Sequence, residues 1–144
     1  MNPGLLPFLV LAVGGLAVLC LGAAFKGRVS CLLLGLSLAV VVGAGTLALW
    51  GNSDPQASNV AGLLDASGFS RYFVLLSCTL TAGVLLFAEP YGRRRGLVGE
   101  ELFGLVLWAC LGMALTASAT SWVTFFLGYE LLSLCLYVLV ALAK

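Results

Sequence analysis

The sequence predicts an all-α membrane protein of five transmembrane helices, with the N-terminus outside and the C-terminus cytoplasmic. Three observations carry that reading. Apolar residues make up 62% of the 144 positions and charged residues 9%, and the mean hydropathy is +1.14, too apolar for a soluble core of this size. Five apolar runs are close to the roughly 20 residues that cross a bilayer. The basic residues gather in alternate connections, as they do when Lys and Arg are retained on the cytoplasmic side.

The first run, about Leu5–Phe25, has no side-chain charge ahead of it. A secretory signal needs positive charge before its apolar region, so this run reads as a membrane span. Lys26 and Arg28 follow it. The second run, Val29–Trp50, places Cys31, Gly35, Ala39 and Gly43 at four-residue spacing, nearly along one helical face. Small residues let helices approach closely in lipid, so this stripe is expected to touch another helix.

Gly51–Arg71 is the one long connection, an external loop rich in Gly, Asn, Ser, Asp and Pro that turns apolar at Val60–Leu64. A short interfacial helix is expected there, with Trp50 and Tyr72 as aromatic anchors. The third run, Tyr72–Ala88, extends to residues 69–91 when it borrows from its flanks. Arg93, Arg94 and Arg95 come after it. The fourth run, Leu102–Ala119, extends back to residue 98, and its Gly112, Thr116 and Thr120 repeat the small-residue spacing. The fifth, Trp122–Ala143, fills residues 121–143.

Six of the seven basic residues, Lys26, Arg28, Arg93, Arg94, Arg95 and Lys144, therefore fall on one side. Arg71 is the exception. Glu89, Glu100 and Glu101 flank the arginine cluster, where they would either pair with it or feed protons inward.

Several chemistries are excluded. The five cysteines, Cys20, Cys31, Cys78, Cys110 and Cys135, lie in or beside apolar runs in no ligand spacing, and there is no histidine. No metal site and no histidine-dependent triad is expected. There is no glycine-rich phosphate loop. A formal net charge of +1 gives no basic surface for nucleic acid.

Glu130 is the only charged residue between Ser121 and Ala143, near the middle of the span. A carboxylate there costs roughly 2.5–3.5 kcal/mol on insertion scales, so it marks a functional site by default. Burial favours its neutral form and a nearby cation its charged form, and a group poised between the two can take up and release a proton. Ser133 and Tyr137 share its face, with Phe126 and Leu127 one turn before. Ser133 either hydrogen-bonds the carboxyl group or serves its own helix. Glu130 itself is either a proton relay or a protonated interhelical contact. No cation is in reach, since Lys144 is about 21 Å along the helix at 1.5 Å per residue.

The segments Gly112-Met113, Ala117-Ser118-Ala119 and Phe126-Leu127-Gly128-Tyr129-Glu130-Leu131-Leu132-Ser133-Leu134, followed by Leu136-Tyr137-Val138-Leu139-Val140-Ala141, resemble the antiporter-like subunit N (subunit 2) of proton-pumping NADH:quinone oxidoreductase, respiratory complex I. Phe69-Ser70-Arg71-Tyr72-Phe73 and Ala88-Glu89-Pro90-Tyr91 fit the same pattern. The likeness covers about Leu64 to Lys144. Cation/proton antiporters and membrane-bound hydrogenases carry related sequences.

The resemblance implies a subunit of about fourteen helices with inverted five-helix repeats, of which residues 1–144 would be an amino-terminal portion, a partial antiporter-like bundle. It implies that the glutamate of helix five, matched by Glu130, pairs with a lysine of helix seven, which would lie beyond Lys144. Two positions depart from the family: Cys135 replaces a helix-bending proline, and Thr120-Ser121 stands where Asn-Asp is common. The first predicts a straighter fifth helix. The expected function is proton translocation coupled to quinone reduction, with Glu130 as relay and Ser133, Tyr137 and Glu101 as support. On this reading the chain holds no cofactor, and quinone and NADH are used by the whole complex. Its partners would be other membrane subunits and the lipid of a bacterial inner membrane. A non-catalytic scaffold and a sodium/proton antiporter subunit are the alternatives.

Overall fold

The computed structural model describes residues 3–24, 30–50, 59–60, 63–65, 67–95 and 101–142, with residues 3, 30, 59–60, 89 and 91–95 given by their backbone alone. Lys26, Arg28, Glu100 and Lys144 lie outside the described residues, as do the side chains of Glu89, Arg93, Arg94 and Arg95. A 3-10 turn at Pro3–Leu5 leads into α1 (Leu6–Ala24). It is followed by α2 (Ser30–Trp50), a strand pair of β1 (Asn59–Val60) and β2 (Leu64–Asp65), then α3 (Gly68–Arg95), α4 (Glu101–Ala117) and α5 (Trp122–Leu142). Four of the five helices are long and apolar enough to cross a membrane. With 17 residues, α4 is shorter, about 25 Å at 1.5 Å per residue.

The first four helices pack in a ring in which each touches the next and α4 closes back on α1. α5 lies outside the ring against α4. This makes α4 the interior helix, with nine of its 17 residues buried, among them Phe103, Leu107, Cys110 and Ala114. They meet Leu11 and Val18 of α1, Leu33 and Val41 of α2, and Val74 and Leu85 of α3 in one apolar cluster. Close approach depends on glycine at the α1–α4 seam. A Cβ on Gly15 would stand 2.4 Å from Cδ1 of Trp108, and one on Gly104 would stand 2.3 Å from the Leu19 side chain. Trp108 Nε1 is buried there without a hydrogen-bond partner among the described residues.

The α3–α4 seam is polar. Ser70 donates to Ser118 at one end. Deeper in, Cys78 and Thr81 of α3 lie beside Cys110 of α4. Interhelical bonds such as that of Ser70 to Ser118 hold helices together where lipid supplies no hydrophobic drive between them.

α3 runs from Gly68 to Arg95, a few residues beyond the expected 69–91, and accommodates Pro90 within it. Two expectations are corrected. Of the apolar part of the long connection, Leu64–Asp65 forms a strand with Asn59–Val60 and not an interfacial helix. The small-residue stripe of α2 points outward: Cys31, Gly35 and Ala39 are exposed, and a Cβ on Gly35 or Gly43 would meet nothing within 4 Å among the described residues. The face of α2 that is buried carries Leu33, Ser37, Val41, Ala44 and Ala48.

Candidate functional site

The site is built on α5. Its start is fixed by a cap and by a lock. Ser121 Oγ accepts from the Thr124 amide at 3.4 Å, and the Phe125 amide donates to the Ser121 carbonyl at 3.0 Å. Serine is a good N-cap, so the departure at Thr120-Ser121 keeps that function. The turn before the cap joins the strand pair. The Asp65 amide donates to the Ser118 carbonyl at 2.8 Å, the Thr120 amide donates to the Leu63 carbonyl at 3.2 Å, and Leu64 bridges Ala119. α3 begins at the same place, where Asp65 accepts from the Ser67 amide at 3.0 Å and Ser67 caps Ser70. Phe69, Tyr72 and Trp122 are exposed at this end, in keeping with an aromatic belt at a membrane interface.

Glu130 lies eight residues beyond Trp122 in an uninterrupted helix. That places it about 12 Å from the aromatic level, near the middle of a hydrocarbon layer about 30 Å thick.

Where α5 crosses α4 the backbones touch. A Cβ on Gly112 would stand 2.9 Å from both the Gly128 carbonyl oxygen and the Leu132 nitrogen, and one on Gly128 would stand 2.6 Å from Thr116 Oγ1 and 2.8 Å from the Thr116 nitrogen. Thr116 Oγ1 is itself held by donating to the Gly112 carbonyl at 2.8 Å. Of the fourth-run stripe, Gly112 and Thr116 make the expected contact. Thr120 lies past the end of α4, in the lock.

Gly128, Leu132 and Cys135 thus define the face of α5 that meets α4. At 100° per residue Glu130 lies on the opposite face, with Val123, Phe126, Leu134 and Tyr137, all of which are exposed. Only 11% of the α5 span is buried, against 28% for α1, α2 and α3. The Glu130 side chain is half-buried, and among the described residues its carboxyl group has no hydrogen bond or ion pair.

Ser133 does not reach the carboxyl group. Its hydroxyl donates to the Tyr129 carbonyl at 2.9 Å and the Glu130 carbonyl at 3.2 Å, both on its own helix. Tyr137 is exposed on the Glu130 face. Glu101 is exposed in the first turn of α4, where the helix dipole favours an acid. It is about 16 Å along α4 from Gly112, so the structure does not bring it to Glu130. A groove of about 770 Å³ runs along the outside of α3, lined by Thr79, Leu80, Gly83, Val84 and Phe87 among others; it carries no charged group among the described residues and lies apart from Glu130. Gly128 was not singled out in sequence as the partner of Gly112 and Thr116. The signal for it was present, since Gly112 and Thr116 are one turn apart on α4 and Gly128 stands within the Glu130 segment.

In an alignment that covers 95% of it, the chain is 40% identical to NADH-quinone oxidoreductase subunit N of Geobacter metallireducens. The identity is 38% to subunit N 1 of Solidesulfovibrio magneticus, over 94% of the chain, and 37% to subunit N of Thiobacillus denitrificans, over 99% of it. The chain belongs to the family of NADH-quinone oxidoreductase subunit N. With four helices long and apolar enough to cross a membrane, this member of the family is an integral membrane protein. No family model matches it. The chain spans less than a third of the length of these subunit N relatives: 28%, 27% and 29%.

Proposed function

We propose that these residues form an amino-terminal portion of a proton-translocating subunit of NADH:quinone oxidoreductase, in which Glu130 takes up and releases a proton within the membrane. The observation that carries this reading is the position of Glu130 on α5, at mid-span, on the face turned away from α4, and without a hydrogen bond or ion pair among the described residues. A carboxyl group in that position is too costly to be incidental. It is matched to chemistry when a partner presenting a cation covers the outer face of α5, because the cation favours the charged form and its withdrawal favours protonation. In this reading that partner is a lysine on a later helix of the same subunit. The N-terminus lies outside and the arginine-bearing end of α3 lies in the cytoplasm of a bacterial inner membrane. Neither NADH nor quinone binds these five helices; quinone reduction elsewhere in the complex drives the change of charge around Glu130.

The test is Glu130→Gln in the full-length subunit, with pumping measured in membrane vesicles at matched subunit content. Pumping should fall while assembly is retained. Equal pumping by the variant defeats the relay.

A further inference from the structure

We propose that Gly112 and Gly128 are positioning residues for Glu130: the backbone contact between them sets where α5 places the carboxyl group. This rests on the relay reading above.

Three observations support it. First, α4 is the principal helix packed against α5, and the two meet through backbone atoms at Gly112, Thr116, Gly128 and Leu132. A Cβ on Gly128 would fall about 0.6 Å inside ordinary contact with the Thr116 nitrogen, and one on Gly112 about 0.5 Å inside contact with the Leu132 nitrogen. Backbone cannot turn aside as a side-chain tip can, so either substitution displaces α5 as a body.

Second, nothing else among the described residues holds the carboxyl group. The Glu130 carboxyl group has no hydrogen-bond partner among the described residues, and the Ser133 hydroxyl is committed to the Tyr129 and Glu130 carbonyls. The carboxyl group is therefore placed by its own backbone.

Third, the hydrogen-bonded fixture at the start of α5 is remote. The cap at Ser121 and the strand lock at Ser118–Thr120 lie nine or more residues before Glu130, about 13 Å away along the axis, whereas Gly128 is two residues away, about 3 Å. The lock sets the depth of the helix. The glycine contact sets the distance of the Glu130 face from the axis of α4.

A misplacement of 1 Å costs on the order of 10²-fold in a reaction that depends on alignment. A shift of half that size in the relay therefore has a measurable effect. The test uses the full-length subunit in the assembled complex, in membrane vesicles. A hydrophobic carbodiimide, which reacts with protonated carboxyl groups in lipid, is applied at one fixed pH, and the rate at which Glu130 is modified is followed by mass spectrometry. Gly128→Ala and Gly112→Ala are each expected to change that rate by on the order of tenfold and to lower protons pumped per quinone reduced. The double variant is expected to do little more than either single one, because both displace the same contact. Gly83→Ala, on an open face of α3, is expected to leave the rate unchanged.

Where a glycine variant fails to assemble, Thr116→Ala removes the Oγ1 that stands 2.6 Å from where a Cβ on Gly128 would lie, without adding an atom, and it should also alter the rate. An unchanged rate in the assembled glycine variants, or in Thr116→Ala when those do not assemble, overturns the proposal. The two readings fail separately. An altered labelling rate combined with full pumping by Glu130→Gln would remove the relay and leave the positioning; an unaltered rate combined with lost pumping by Glu130→Gln would remove the positioning alone.

Discussion

Ser70 of α3 donates a buried hydrogen bond to Ser118 at the end of α4, across 48 positions of sequence. The bond closes the polar seam between the two helices at the level where the strand pair takes hold of the α4–α5 turn. It ties the start of α3 to the start of α5.

Ser70→Ala leaves the Ser118 hydroxyl buried without its partner, and Ser118→Ala does the reverse. In a double-mutant cycle the coupling is expected to be about 0.6 kcal/mol, and up to about 1.7 kcal/mol, the range measured for interhelical hydrogen bonds in membranes. Unfolding of the 144-residue chain in mixed micelles by SDS titration measures it. Additive single variants would show that the pair contributes nothing.

Trp108→Phe removes the indole N–H that has no partner in the α1–α4 seam. The loss of ring volume opposes the relief of an unsatisfied buried donor, worth about 1–3 kcal/mol. The net change is expected to stay within about 1 kcal/mol, whereas a large aromatic cut to Ala in a core costs about 3–5 kcal/mol. The same titration compares them, and equal losses for Phe and Ala would disprove the account.

Gly15→Ala and Gly35→Ala test two glycines of opposite setting. The first drives a methyl group into Trp108 and is expected to cost about 1–3 kcal/mol. The second meets nothing within 4 Å among the described residues and is expected to stay within about 0.5 kcal/mol in the 144-residue chain. A reversal of that order would mean that α2 is turned the other way.

Ser133→Ala removes a hydroxyl bonded only to carbonyls of its own helix. Proton pumping by the assembled complex is expected to be unchanged, and stability to move by no more than about 0.5 kcal/mol. A loss of pumping comparable to that of Glu130→Gln would instead place Ser133 in the relay.

The helices were legible in sequence wherever apolar length and helix length coincide. α1, α2 and α5 begin and end within a residue or two of their apolar runs. α3 was read short because hydropathy reports contact with lipid, and its last turn carries arginines that are helical all the same. The strand pair was not legible, since two-residue strands have no periodicity to detect and depend on partners at residues 118–120. Glu130 could be found as a charge in an apolar span. Its direction could not, because that depends on which of two faces of α5 meets α4, and the deciding residue, Gly128, carries no side chain to betray it. Among the described residues the α2 stripe meets no other helix, for a related reason. Small residues permit close contact without requiring it, and the larger Leu33 and Val41 took the interior.

The strand lock also implies an order of events in time. Leu64 and Ala119 are 55 positions apart in the chain, with both α3 and α4 between them, so the bridge between them is a non-local closure. A ribosome delivering this protein to the membrane releases Leu63–Asp65 long before Ser118–Thr120 exists to receive them. The bridge to Ala119 therefore closes only once α4 has followed α3 out of the ribosome.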